Sequence, residues 1–318
     1  MRDTSLPRYS HNHTDMAAQT STDILQKTTQ TLSEVWQEEE QMNLRTGSIL
    51  PSNDDLKELM LLIKGVVFPG FFDRSRITER TRLYHTGVAV EKIYCILKDQ
   101  IAKGLVFCCD RNESTVSAEA RKLALKFISG IPEIKRLMLT DVAAVAHNDP
   151  AVTNFGEVVF SYPVISVMLH YRTAHALLEL GVPIIPRIIT ELAHSETGID
   201  IHPAAKIGEY FSIDHGTGVV IGATSIIGNH VMLYQGVTLG AKNFKYDENG
   251  LPMNVPRHPI IEDNVTVYSN TSILGRVTIG HDTIIGGNIW LTHDVPPHSR
   301  LLQSKAMYDP GFSDGAGI

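Results

Sequence analysis

Asp200-Ile201-His202-Pro203-Ala204-Ala205-Lys206-Ile207-Gly208 opens a stretch in which an aliphatic residue returns at every sixth position. From Ile201 the step of six leads to Ile207, Ile213, Val219, Ser225, Val231 and Val237. From Ile261 it leads to Val267, Ile273, Ile279, Ile285 and Leu291. Twelve of these thirteen positions are aliphatic, and neither a helix nor an ordinary strand has a period of six. Repetition of this kind marks a solenoid, whose units bury their apolar residues only by stacking on their neighbours. Three hexapeptides per coil place every eighteenth residue above the last. Gly208, Gly222, Gly228, Gly280 and Gly286 follow aliphatic positions, where a chain turning a corner needs a permissive backbone. The pattern lapses between Leu239 and Pro259, in a polar segment that runs from Ala241 to Gly250 and is closed by Arg257-His258-Pro259. A loop ejected from a regular solenoid sacrifices packing, so its length points to function.

Before Gly198 the spacing is helical. Residues 1–20 are polar and are expected to lack fixed structure. A weakly amphipathic helix is predicted over 23–42, broken at Gly47–Pro51. Further helices are predicted over 56–68, 78–103, 117–129 (ended by Gly130 and Pro132), 134–147, 163–180 and 186–195. The fold class is therefore α+β. A polar extension covers 1–50, an α-helical domain 51–197 and a parallel β-helix 198–300 with a loop at 240–259; a flexible tail covers 301–318.

Bulk properties narrow the function. A net charge of −7 over 318 residues lacks the basic footprint that nucleic acid or an anionic membrane requires. No apolar run approaches the roughly 20 residues that span a bilayer, so no membrane partner is expected. The polar start Met1-Arg2-Asp3 is not a secretory signal. The sparse, odd set Cys95, Cys108 and Cys109 suits a reducing, cytoplasmic compartment.

Several strings occur together and in order: Asn148-Asp149-Pro150-Ala151, Asp200-Ile201-His202-Pro203, Asp214-His215-Gly216-Thr217-Gly218, Gly236-Val237-Thr238-Leu239-Gly240 and Pro256-Arg257-His258-Pro259. In this arrangement the chain resembles the serine O-acetyltransferases, hexapeptide-repeat acyltransferases with a helical N-terminal half and a left-handed β-helix. The resemblance covers roughly residues 130–300. It implies acetyl-CoA as co-substrate and L-serine as acceptor, giving O-acetylserine for cysteine biosynthesis. Removing the serine hydroxyl proton during attack on a thioester requires a base, and histidine is suited to that near neutral pH. By resemblance the base is His215. Asp200, fifteen residues earlier, would orient its ring as a carboxylate orients an imidazole in other acyl transfers. Asp149 and Asp214 would contact the serine, with Arg257 and His258 beside its carboxylate. Gly240 and Ala241 would line the acetyl-CoA groove through their backbone.

The chain departs from the family pattern at Ala241-Lys242, which replaces a usual glycine-threonine, in the longer loop before Arg257, and at Ile284, where a lysine is common. Lys242 and Lys245 are candidate phosphate contacts. The resemblance further implies a homotrimer or a dimer of trimers. It also implies an O-acetylserine sulfhydrylase partner that captures the terminal Ile318. His293 and His298 form a spaced pair with no evident third ligand, and no metal is expected. Two other readings are a hexapeptide acetyltransferase for a sugar or amine and a non-catalytic scaffold. The helical domain with Asp149 argues against the first, and the joint presence of Asp200, Asp214, His215, Arg257 and His258 against the second.

Overall fold

Two residues of each hexapeptide point into the prism: the large aliphatic residue and the residue four places on. Ile201 and Ala205, Ile227 and Val231, and Leu233 and Val237 are buried pairs of this kind. The computed structural model describes residues 20–41, 50–72, 76–109, 113–251, 253 and 255–303. Within it the repeats form short parallel strands in successive coils. The first coil holds β1 (Asp200–Ile201), β2 (Lys206–Ile207) and β3 (Ser212–Asp214), and the second β4 (Val220–Ile221), β5 (Ile226–Ile227) and β6 (Met232–Tyr234). The third holds β7 (Thr238–Gly240), β8 (Ile260–Ile261) and β9 (Thr266–Val267), and the fourth β10 (Ser272–Leu274), β11 (Thr278–Ile279) and β12 (Ile284–Ile285). β13 (Trp290–Leu291) and β14 (Arg300–Leu301) belong to the last. They stack into three faces: β1-β4-β7-β10-β13, β2-β5-β8-β11 and β3-β6-β9-β12-β14.

The register corrects the simple six-residue frame. Val220 lies beside Thr238 and Ser272 beside Trp290, steps of eighteen, but Asp200 lies beside Val220, a step of twenty. Two extra residues thus enter the first coil between Ile213 and Ile221. Ile201, Ile207 and Ile213 hold the first inward position, whereas Val219, Ser225, Val231 and Val237 hold the second. Both positions are inward, so the aliphatic signal survives the slip. The step from Thr238 to Ser272 is thirty-four, because the 241–259 loop leaves the corner between the first and second faces.

Ahead of the prism lie α1 (Ser21–Ser33), α2 (Gln37–Gln41), α3 (Asn53–Val67), α4 (Glu79–Cys109), α5 (Glu113–Asn148), α6 (Phe155–Ser161), α7 (Pro163–Glu179) and α8 (Ile185–Thr197). The chain divides into two units, 1–48 and 49–318. In the first, the helix predicted over 23–42 is broken between Ser33 and Gln37, and no residue of α1 is buried. In the second, the predicted helices 117–129 and 134–147 are one helix, α5, with Pro132 inside it. Proline removes one backbone hydrogen bond. Phe127, Ile131, Ile134 and Met138 on either side are buried in one core, and that packing carries the helix through. The short α6 was not foreseen, although Asn154 caps it in a regular way by accepting the Glu157 N–H at 3.0 Å. Gly198, in the left-handed conformation at φ 70°, ends α8 and turns the chain into the first coil.

One buried ion pair ties α5 to the prism. Asp141 of α5 and Arg172 of α7 form a two-bond pair at 2.6 and 2.8 Å. Arg172 also donates to the Gly208 carbonyl at 2.8 Å, and Asp141 accepts the Phe211 N–H at 3.2 Å. Tyr171 adds a bond from its hydroxyl to the Ala205 carbonyl at 2.7 Å. These bonds settle where the end of α5 stands relative to β3. The tail with Ile318, residues 1–19 and most of the Gly47–Pro51 break lie outside the described residues.

Candidate active site

The two-residue insertion in the first coil carries His215. Ile213 stays inside, Asp214 ends β3, and His215 takes φ 58° at the corner. Its side chain is 74% exposed, so it is open to solvent rather than packed. Asp214 Oδ2 is 3.8 Å from His215 Nε2.

Asp149 arrives from the helical half. Its N–H closes the last turn of α5 by bonding the Val145 carbonyl, and its Oδ1 accepts the Ala151 N–H at 2.8 Å. Oδ2 accepts the Tyr162 hydroxyl at 2.5 Å. That bond first, and the Ala151 N–H second, hold the Asp149 carboxyl below its ordinary range and push Tyr162 up to about 12. Asp149, Tyr162, Ser212, Asp214 and Met232 line one small depression, and Asn148 donates to Ser212 Oγ at its edge. A helix C-terminus carries partial negative charge, so two carboxylates beside the end of α5 repel unless a cation joins them. The depression is therefore electronegative.

Asp200 stands at the start of β1. Its carboxylate lies within 4.8 Å of Glu191 and His194 of α8. No hydrogen bond joins Asp200 to His215 among the described residues, although both border the corner between the third and first faces.

Arg257 and His258 occupy a different corner, between the first and second faces. His258 is buried, and its Nδ1 faces the Thr224 N–H at 3.1 Å and the Thr224 hydroxyl at 2.9 Å. Accepting that N–H leaves the ring proton on Nε2, a single donor pointing elsewhere. Burial, then the charges of Arg257, His202 and Arg276, lower the His258 pKa to about 4, so the ring is neutral near pH 7. The Arg257 guanidinium lies 5.7 Å from the Phe244 ring of the loop. Gly240 and Ala241 begin that loop at the same corner, where the Gly240 carbonyl accepts the Gly275 N–H. Between Gly218 and Gly222 the chain crosses the first face, four strand steps or roughly 13 Å. One chain therefore brings Asp149, Asp214 and His215 together, and separately Arg257, His258, Gly240 and Ala241.

A plasmid serine acetyltransferase of Synechococcus elongatus is 42% identical over 276 residues, 85% of this chain and 86% of that protein. The chain belongs to the serine acetyltransferase family. No family model matches it. Among solved structures, serine acetyltransferase isoform 3 of Entamoeba histolytica with cysteine bound superposes with a TM-score of 0.69 at 29% identity, covering 92% of this chain and 96% of that one. Serine acetyltransferase 1 of the same organism, in complex with L-cysteine, gives 0.67 at 32% identity over 81% and 89%. The helical N-terminal region followed by a β-solenoid of about five turns is thus the architecture of this family.

Within this serine acetyltransferase the sequence left three supports unseen: Tyr162 on Asp149, Asn148 on Ser212, and Thr224 on His258. Asn148 adjoins Asp149 and was within reach of the motif; Tyr162 and Thr224 are brought in only by folding. Gly222 is a fourth. A Cβ there would lie 2.0 Å from His258 Cδ2, so any side chain must displace that ring. Gly222→Ala is expected to raise the KM for the acceptor severalfold and to lower stability by about 1–3 kcal/mol, as overpacking does. Steady-state kinetics and thermal denaturation read the two effects; an unchanged KM would detach His258 from acceptor binding.

Proposed function

We propose that this chain transfers the acetyl group of acetyl-CoA to the hydroxyl of L-serine, giving O-acetylserine and CoA. The observation that carries the reading is the meeting of Asp149, from the helical half, with Asp214 in one depression, with the exposed His215 ring 3.8 Å from Asp214 Oδ2. The carboxylates take the serine ammonium. His215 accepts the hydroxyl proton as the serine oxygen attacks the thioester carbon. The carbon–sulfur bond then breaks, and the proton passes to the departing CoA sulfur. Asp200 stands by as the carboxylate that steadies the imidazolium. Arg257, with the His258 Nε2–H beside it, pairs with the serine carboxylate, and the backbone of Gly240 and Ala241 borders acetyl-CoA.

The two halves of this set lie on opposite edges of the first face. A threefold assembly with that face inward sets the Asp214–His215 edge of each copy against the Arg257–His258 edge of the next. Val220 and Trp290, exposed on that face, are apolar residues suited to such burial. The working unit is therefore a homotrimer, alone or paired through the helical halves. The sparse, odd cysteine count suits a cytoplasmic setting, and no helix among the described residues is long and apolar enough to cross a membrane. Ile318 is assigned to sulfhydrylase capture on the resemblance alone.

A CoA-release assay comparing serine with homoserine, threonine and amino sugars tests the substrate: serine is expected to dominate, and no rate above background with serine would defeat the reading. Removing Ile318 is expected to abolish sulfhydrylase binding in a pull-down while acetyl transfer continues; unchanged binding would remove the tail's role.

A further inference from the structure

The corner between the second and third faces carries one left-handed, non-glycine residue in each coil: Tyr210, His230, Asn264, Asp282 and His298. Backbone bonds stack these corners, with the Asp282 N–H on the Asp263 carbonyl and the His298 N–H on the His281 carbonyl. At the last two coils the column ends in a converging set of side chains. Asp282 Oδ2 is 2.7 Å from His281 Nδ1 and 3.6 Å from His298 Nδ1. The two imidazole rings are 4.8 Å apart and nearly perpendicular. We propose that His281, Asp282 and His298 form a site for a divalent transition-metal ion, of which zinc is the best fit, clamping the last coil to the one before.

Ligand atoms each about 2.0–2.2 Å from a tetrahedral ion stand about 3.4 Å apart, and the two measured separations bracket that value. Two imidazole nitrogens and one carboxylate oxygen suit zinc, cobalt or nickel; calcium and magnesium select oxygen ligands. The carboxylate is already aimed, because its other oxygen accepts the Asn264 side-chain N–H at 3.0 Å. The backbone N–H of His281 is likewise held by Glu262 at 2.8 Å. Asp282 and His298 are 42% and 71% exposed, which leaves room for water in the remaining coordination position. The terminal coil of a solenoid has only one stacking neighbour, so a cross-coil ligand stabilises the place that most lacks support. The pair His293 and His298, conspicuous in sequence, is not the one the fold brings together. His281 lies seventeen residues before His298, close to one coil, and stacking makes them neighbours. The acyl-transfer residues occupy the other two corners, and the metal site has no part in that reaction.

The test uses the full-length protein stripped with chelator and titrated with zinc by calorimetry and with cobalt by visible absorption. One ion per chain is expected, with cobalt bands in the visible and a higher melting temperature. His298→Ala and Asp282→Asn should each weaken binding at least about tenfold, since each removes one of three ligands. His293→Ala should bind as the parent does. All three side chains are exposed, so the variants are expected to fold, and circular dichroism checks this. Absence of saturable binding would overturn the proposal. So would binding that survives His298→Ala but is lost in His194→Ala, which would place the ion at Glu191, His194 and Asp200 instead.

Discussion

Replacing His215 with asparagine is expected to lower kcat for acetyl transfer to serine by roughly 10²–10⁴-fold, the usual contribution of a positioned general base. The fold should be unaffected. The side chain is 74% exposed and so gives up little packing. Its backbone sits at φ 58°, a region where asparagine is among the best-tolerated side chains, which makes this a cleaner substitution than alanine. In the proposed mechanism Asp149 and Asp214 still hold the amino acid, so the KM for serine should change far less than kcat. Steady-state rates and circular dichroism measured together decide the matter. A variant that is folded and retains near-parental kcat would remove His215 as the base.

Arg172→Met is expected to cost about 3–5 kcal/mol of stability in urea denaturation, the range found when one partner of a buried ion pair is removed. Asp141 is fully buried and Arg172 is 3% exposed, so water cannot replace the lost guanidinium. The Gly208 carbonyl loses a donor as well. A functional effect should accompany the loss. Asp149 lies eight residues beyond Asp141 at the end of the same helix, and the Phe211 N–H bonded to Asp141 leads directly into β3 and Asp214. Loosening this joint lets the two carboxylates drift apart, so protein that remains folded should show a raised KM for serine. A loss below about 1 kcal/mol with unchanged KM would mean that apolar packing alone docks the helices on the prism.

Much of the β-helix was legible because its period is short and strictly one-dimensional: each inward residue meets its counterpart one coil away. The frame slip at 214–218 was not, since Val219, Ser225, Val231 and Val237 are inward too and keep the aliphatic count high. Local proline chemistry predicts two helices where α5 is one, because the core on either side of Pro132 carries the helix through. α6, only seven residues long, has no helical period to announce it, although Asn154 and Glu157 at its start form a local capping signal. Asp214 and His215, adjacent in the chain, were readable as a unit. The Tyr162–Asp149 bond spans thirteen residues and the Thr224–His258 contact thirty-four, and no spacing rule announces either.

By itself, the sequence determined the fold class, the place of the ejected loop and the residue types available for acyl transfer, because repeat period and motif order are properties of a line. The tertiary structure alone decided which of those residues share a site. Coil stacking sends Asp214–His215 and Arg257–His258 to different corners, and the buried Asp141–Arg172 pair brings Asp149 to the first of them. Corner assignment depends on how many residues each coil consumes. The two extra residues at His215 change that number, and only the strand register reveals them.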